Sequence, residues 1–117
     1  MKYDLNYPIW LQVMQSLQTD IVTGKLPPGS KLPGGRDLAL SYEINPNTAA
    51  RVYQELEKNG LCETRRGLGT FVTDNPERIS SLRSQMADTA VDRFLSRMNM
   101  LGISREEAVQ IILKKEG

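Results

Sequence analysis

The sequence predicts a mainly helical fold with one small β-hairpin, an α+β arrangement. Apolar residues recur every three or four positions in five separate segments, which is the spacing of one face of a helix. Between the third and fourth of these segments, two short extended runs flank a connection that contains two glycines, a pattern typical of a hairpin. The predicted order is therefore three helices, a hairpin, a long helix and a short helix.

Composition excludes several classes of function. The chain has 117 residues, 39% hydrophobic and 25% charged, enough for one small domain with an appendage. It has no histidine and a single cysteine, Cys62, which excludes histidine-based metal sites, a Ser-His-Asp triad, an internal disulfide and a zinc cluster. No apolar run reaches the roughly 18 residues of a membrane span, and the segment 1–10 does not resemble a secretory signal. We expect a cytoplasmic protein without a metal or cofactor.

Three helices are predicted before the hairpin. The third begins at Asn45-Pro46, because Asn is a strong N-cap and Pro fits the first helical position, and it ends at Asn59-Gly60. The expected ranges of the first two are about 8–23 and 35–42.

The hairpin completes the first predicted domain. Its strands are expected at 61–65 and 70–73, and the tip at 66–69. Three helices, with a short turn before the third, followed by a hairpin are the plan of a winged helix-turn-helix domain. We assign residues 1–75 to this domain.

The remaining residues, 76–117, predict a helical dimerisation region with a long helix at about 76–101 and a short helix at about 105–115. At ~1.5 Å per residue the long helix extends about 39 Å, more than a domain of about 75 residues can cover. We therefore expect its apolar stripe to pack against a second copy of the chain. The stripe consists of Ile79, Leu82, Met86, Ala90, Phe94 and Met98.

The third helix has an outward face suited to DNA. Asn47 and Arg51 lie four residues apart, away from the apolar stripe, and Thr48 lies between the two faces. No acidic residue occurs between Ile44 and Gln54, although residues 1–75 carry eight basic and eight acidic side chains. Amide, hydroxyl and guanidinium groups at a helix N-terminus suit base and phosphate contacts in a major groove. The alternative is a solvated polar face behind an N-cap.

The second helix and the hairpin add cationic candidates. Arg36 lies at the start of the helix that crosses the DNA backbone in a helix-turn-helix, although it could instead pair with Asp37. Arg65 and Arg66 precede Gly67 at the hairpin tip, where one of them could reach a minor groove. A charged, solvated hairpin is the alternative. The outward face of the third helix, Arg36 and the hairpin arginines are each weak signals. All three lie where the docking of a winged helix-turn-helix on DNA requires them.

Several motifs in unbroken order between residues 8 and 73 support a family resemblance. They are Leu26-Pro27-Pro28-Gly29-Ser30-Lys31-Leu32-Pro33, Arg36-Asp37-Leu38-Ala39, Ile44-Asn45-Pro46-Asn47-Thr48, Tyr53-Gln54-Glu55-Leu56-Glu57, Gly60-Leu61 and Arg65-Arg66-Gly67-Leu68-Gly69-Thr70-Phe71-Val72. These motifs resemble the DNA-binding domain of GntR-type bacterial transcription regulators. The Asn-Pro-Asn-Thr run and the short C-terminal part are similar to the YtrA-type branch, in which two helices dimerise the protein.

The resemblance implies residue roles. Arg36 matches an arginine that contacts DNA, and Arg66 and Gly67 match wing-tip positions that reach the minor groove. Recognition-helix positions are occupied by Asn45, Asn47, Thr48 and Arg51. The chain departs from the family at Gly34-Gly35, where the family usually has a serine or another small residue followed by a larger one.

We therefore predict a homodimeric DNA-binding transcription regulator, with repression as its expected effect, that binds an inverted-repeat operator in double-stranded DNA. The resemblance further implies control of a transporter operon; the sequence is silent about a small-molecule effector. The alternative is a winged-helix module that binds another protein. Arg51, Arg65 and Arg66 argue against that alternative, because such modules often lose basic residues on the third helix and the wing. An enzyme is not expected, since no pair of carboxylates or activated nucleophile is present.

Overall fold

A computed structural model describes residues 1–116 and contains five helices and one two-stranded antiparallel hairpin within that range. The elements are α1 (Ile9–Val22), α2 (Gly35–Tyr42), α3 (Pro46–Lys58), β1 (Cys62–Arg65), β2 (Gly69–Val72), α4 (Pro76–Met100) and α5 (Arg105–Lys114). The predicted fold class is confirmed, and each helix and strand boundary lies within one residue of the predicted one. No helix among these residues is both long and apolar enough to cross a membrane.

The chain divides into two compact units, and the first comprises Met1–Leu82. Its core joins the inward faces of α1, α2 and α3 to the hairpin. These core side chains are Val13, Leu17, Ile21, Leu32, Leu38, Ala49, Val52, Leu56, Leu61 and Val72, each no more than 3% exposed. Because α3 contributes residues at i, i+3 and i+7 to this core, its opposite face points away from the domain.

The helix ends follow local chemistry. The side chain of Asn45 accepts a hydrogen bond from the amide of Asn47 at 2.8 Å, which confirms the predicted cap of α3. Helix α2 begins without a side-chain cap, because Gly34 stands at that position. In the turn between α2 and α3, Glu43 adopts a left-handed conformation with φ 55°.

The first turns of α4 belong to the first unit. Arg78 donates from Nε to the carbonyl oxygen of Asn59 at 2.8 Å, at the end of α3, and Leu82 is 3% exposed. The boundary between the two compact units falls after Leu82, inside α4. The domain boundary expected at residue 75 stays a prediction.

The second unit begins at Arg83 and contains the rest of α4 together with α5. Ser104 caps α5 by accepting from the amide of Glu107 at 3.1 Å. Of the described residues in this unit, Ala108 alone is fully buried. The large apolar side chains that stay exposed are Val91, Phe94, Met100, Leu101, Val109, Ile111, Ile112 and Leu113.

Candidate nucleic-acid interface

The outward face of α3 carries the polar side chains that the sequence singled out. Asn47 is exposed and Thr48 is half-buried at the first turn. Asn45 is exposed as well, but its Oδ1 atom is occupied by the N-cap hydrogen bond, so its amide NH₂ group is the part available to a ligand. The segment from Ile44 to Gln54 presents no carboxylate that would repel a phosphate.

Arg51 lies against an aromatic ring of another helix. Its guanidinium carbon is 4.2 Å from the centroid of the Trp10 ring in α1. Within residues 1–116, Arg51 forms no salt bridge and no side-chain hydrogen bond. Its five N–H donors therefore remain available, although the cation itself is held in place. Sequence reasoning missed Trp10 as a member of this site.

Arg36 is the second residue of α2 and is exposed. The alternative pairing with Asp37 does not occur, because the single ion pair found in the described part of the chain joins Arg65 to Glu63. The loop before α2 is fixed to α3, because the hydroxyl of Tyr53 donates to the carbonyl oxygen of Pro33. This contact joins the loop that leads to Arg36 to the helix that carries Asn47 and Arg51.

The two adjacent arginines of the hairpin have different surroundings. Arg65 pairs with Glu63 at 2.7 Å, and its guanidinium carbon lies 4.4 Å from the centroid of the Phe71 ring. Arg66 is exposed, and no intramolecular partner for it is found within residues 1–116. Gly67 follows in a left-handed conformation, φ 77°, which lets the tip turn tightly.

A third extended segment lies beside the hairpin. The amide of Leu32 donates to the carbonyl oxygen of Thr70, and the amide of Val72 donates to that of Ser30, both at 2.8 Å. Lys31 lies between these two bonds, and its side chain passes so close to Gly69 that a β-carbon there would be 2.7 Å from Cε. Lys31 is thus a cation beside the hairpin that the sequence did not assign to it.

Contacts from neighbouring elements hold α3 in place. Glu57 accepts from the hydroxyl of Thr64 in β1 at 3.3 Å, while Trp10, Tyr53 and Arg78 provide the contacts described above. The helix that would enter a groove is therefore fixed relative to α1, α2, the hairpin and the start of α4.

The buried group that titrates, the Cys62 thiol, is not arranged for catalysis. Burial is the main cause that raises the pKa of the Cys62 thiol to about 11, and the charge of Glu57 adds to it. A thiol that stays protonated is a poor nucleophile, so Cys62 is not activated for catalysis. Within residues 1–116, no group of histidine, cysteine, aspartate or glutamate side chains is placed to hold a metal ion.

Comparison with known proteins gives one consistent result. The family model described as bacterial regulatory proteins, gntR family, matches residues 10–72, more than half of the chain. Two curated relatives come from Bacillus subtilis. The HTH-type transcriptional regulator YhcF is 35% identical over 93% of this chain and 90% of its own length. The HTH-type transcriptional repressor YtrA is 34% identical over 73% of this chain and 70% of its own length.

Solved structures agree with these relatives. A GntR family transcriptional regulator from Listeria monocytogenes superposes with a TM-score of 0.88 at 37% identity, covering 97% of this chain and 100% of the other. The DNA-binding domain of AraR in complex with operator ORX1 superposes with a TM-score of 0.55 at 28% identity, covering 57% of this chain and 81% of the other. YhcF, YtrA and the Listeria monocytogenes protein are named as transcriptional regulators or repressors, which are not enzymes.

Proposed function

Because the chain belongs to the GntR family of bacterial regulatory proteins and is a DNA-binding transcription regulator, we propose that it binds an inverted-repeat operator as a homodimer and represses the genes that it controls. The family resemblance expected from the sequence is confirmed. The observation that carries the proposed mode of binding is that Arg36, Arg51 and Arg66, on α2, α3 and the hairpin, are all exposed and lack an intramolecular ion pair within residues 1–116.

The proposed contacts divide by element. The N-terminal part of α3 reads base edges in the major groove through Asn47, Thr48 and Arg51, with the Asn45 amide beside them. Arg36 contacts a phosphate where α2 crosses the DNA backbone.

At the hairpin, Arg66 enters the minor groove and Gly67 allows the protein backbone to come close to the DNA, while Arg65 contributes from its position beside Phe71. Phosphate contacts of this kind make the affinity fall as the salt concentration rises.

The homodimer is proposed from the exposed apolar surface of the second unit. Phe94 is 37% exposed and Val91 is 53% exposed, although both lie on a helix whose other faces are polar. Along the predicted stripe, Ala90 is exposed, and Ile79, Met86 and Met98 are half-buried. Leu82 is already buried within one chain, so the partner would cover the other five positions. Large apolar patches on a small protein mark an interaction site.

Repression is proposed because YtrA is named as a repressor and shares 34% identity over most of this chain. A regulator that occupies an operator acts where the bacterial chromosome lies, so we place it in the cytoplasm. Control of a transporter operon remains a prediction from the YtrA-type resemblance.

The DNA-binding proposal is tested by selecting bound duplexes from a random pool with the purified protein and sequencing them. Enrichment of an inverted repeat supports specific binding by a dimer, and the spacing of its half-sites gives the separation of the two α3 helices. Enrichment of a single unrepeated site would contradict the dimeric mode. No enrichment, even at low salt, would contradict the proposal and favour the protein-interaction alternative.

The dimer is tested separately by sedimentation of the Val91→Asp/Phe94→Asp variant. We expect the wild type to sediment as a dimer and the variant as a folded monomer, because a pair of carboxylates on each copy would be buried in the interface. Ser84→Asp/Ser96→Asp is the matched control, since it adds two carboxylates at exposed positions outside the stripe. A monomeric wild type, or a variant that remains dimeric, would contradict this interface.

A further inference from the structure

The chain has a single tryptophan, and it lies beneath an arginine of the recognition helix. Trp10 is the second residue of α1 and is half-buried, whereas Arg51 lies on α3 and is exposed. The guanidinium carbon is 4.2 Å from the centroid of the indole ring, within the range of a cation–π contact. The two residues come together only because α1 packs against α3.

This contact leaves the arginine's hydrogen-bonding capacity unused. A cation above a ring interacts through the π face, and the N–H donors of a guanidinium point outward in its own plane. A carboxylate paired with Arg51 would occupy those donors, but no such ion pair is found within residues 1–116. The ring can therefore orient the guanidinium while the N–H groups stay free to donate to a base or a phosphate.

The contact also reduces the conformational entropy that the Arg51 side chain loses when DNA binds. A free arginine side chain has several rotatable bonds, and fixing them opposes any contact that requires one geometry. An arginine that is already held on the exposed side of α3 loses less freedom when DNA binds. Arg36 and Arg66 have no comparable aromatic neighbour among the described residues, so this arrangement distinguishes Arg51 from the other two cations.

We propose that Trp10 is a positioning residue for DNA binding, which acts by holding the Arg51 guanidinium ready for the operator. The inference rests on the proposed contact of Arg51 with DNA. It assigns a role in recognition to a side chain of α1, a helix that carries none of the predicted DNA contacts.

The test is a set of double-mutant cycles, measured as affinity for the operator duplex that the selection recovers. Trp10→Leu should weaken binding about two- to fivefold, the strength of one cation–π contact at an exposed site. Arg51→Ala should weaken it about tenfold or more. In the Arg51→Ala background, Trp10→Leu should have no further effect. In an Arg66→Ala background, it should retain its full two- to fivefold effect, because the hairpin contact is independent.

Two further measurements separate positioning from a loss of folding. Trp10→Phe keeps an aromatic face and should stay close to the wild type in affinity. The fluorescence of the sole tryptophan should differ between the wild type and Arg51→Ala, even without DNA. An unchanged spectrum would show that the stack does not form in solution and would overturn the proposal.

Other outcomes also decide the question. If Trp10→Leu weakens binding equally in the presence and absence of Arg51, Trp10 acts through the fold or touches DNA itself, and the positioning role is wrong. If Arg51→Ala binds like the wild type, Arg51 does not contact DNA and the inference fails with it. If the wild type binds no duplex, the proposed function itself has failed, which the selection shows before any variant is made.

Discussion

The hydroxyl of Tyr53 in α3 donates a hydrogen bond to the carbonyl oxygen of Pro33, in the loop that leads into α2. This bond holds the start of α2, and with it Arg36, against α3, whose outward face is proposed to read DNA. Burial is the largest cause that raises the pKa of Tyr53, and the negative charges that Cys62, Tyr42 and Asp37 would carry act in the same direction. The hydroxyl therefore keeps its proton at any physiological pH and can still donate this hydrogen bond.

Removing this hydroxyl should loosen the joint between the two helices. We expect Tyr53→Phe to lower the free energy of unfolding by about 0.5–1.5 kcal/mol, the net contribution of one hydrogen bond, and to weaken DNA binding because Arg36 is less well placed. Urea unfolding and an affinity measurement check both effects. Tyr7→Phe is the control, because Tyr7 is 60% exposed. Equal stability of the two variants would contradict a structural role for the bond.

Alkaline pH should destabilise the protein through its buried thiol. Burial raises the pKa of Cys62 from 9.0 to about 11. Below about pH 9 both folded and unfolded chains keep this proton, and stability does not depend on it. Between about pH 9 and 11 the unfolded chain loses the proton while the folded chain retains it, so the free energy of unfolding falls. Tyr53, whose pKa is also raised, adds to the fall above about pH 10.

The measurement is the free energy of unfolding in urea as a function of pH, for the wild type and for Cys62→Ala. The variant is expected to be less stable at every pH because it leaves a small cavity, so the informative quantity is the slope. A shallower decline between about pH 9 and 11 in Cys62→Ala supports the assignment. Identical slopes would mean that another group titrates there.

Local signals made most of the fold predictable from the sequence. The stripe of α3 and its Asn45-Pro46 start depend on contacts within a few residues, and the structure reproduces them. The Glu63–Arg65 pair was also within reach, because residues two apart on a strand share a face. The contact between Trp10 and Arg51 could not be predicted, because it depends on how α1 crosses α3. Nor did the sequence reveal that Lys31 lies beside β2, since that pairing joins segments separated by the whole helix-turn-helix.

The two arginines of the hairpin should differ in their importance for DNA. Arg66→Ala is expected to weaken operator binding by about 1–3 kcal/mol, because Arg66 is exposed and has no intramolecular partner within residues 1–116. Arg65→Ala should cost less affinity, since Arg65 already pairs with Glu63 and covers Phe71. Affinity measured over a range of salt concentrations checks this, and Arg66→Ala should also reduce the salt slope. A larger loss for Arg65→Ala would reverse the assignment.

Glu43 combines a strained backbone with an unfavourable charge. It is the one residue other than glycine with a positive φ in the part of the chain that the structure describes, and it lies in the turn directly before the acid-free stretch of α3. A left-handed conformation costs an L-residue about 1–2 kcal/mol, and glycine's greater freedom in the unfolded chain offsets about 0.5–1 kcal/mol of any gain. We expect Glu43→Gly to raise the free energy of unfolding by about 0.5–1 kcal/mol.

The same substitution removes a carboxylate near the proposed DNA interface, so affinity should rise at low salt and the gain should shrink as salt screens the charge. Glu43→Gln separates the two effects, because it removes the charge but keeps the backbone strain. We expect it to bind DNA more tightly with little change in stability. If Glu43→Gly proves less stable than the wild type, the turn is not strained; if Glu43→Gln binds no more tightly, the carboxylate lies too far from the phosphates to repel them.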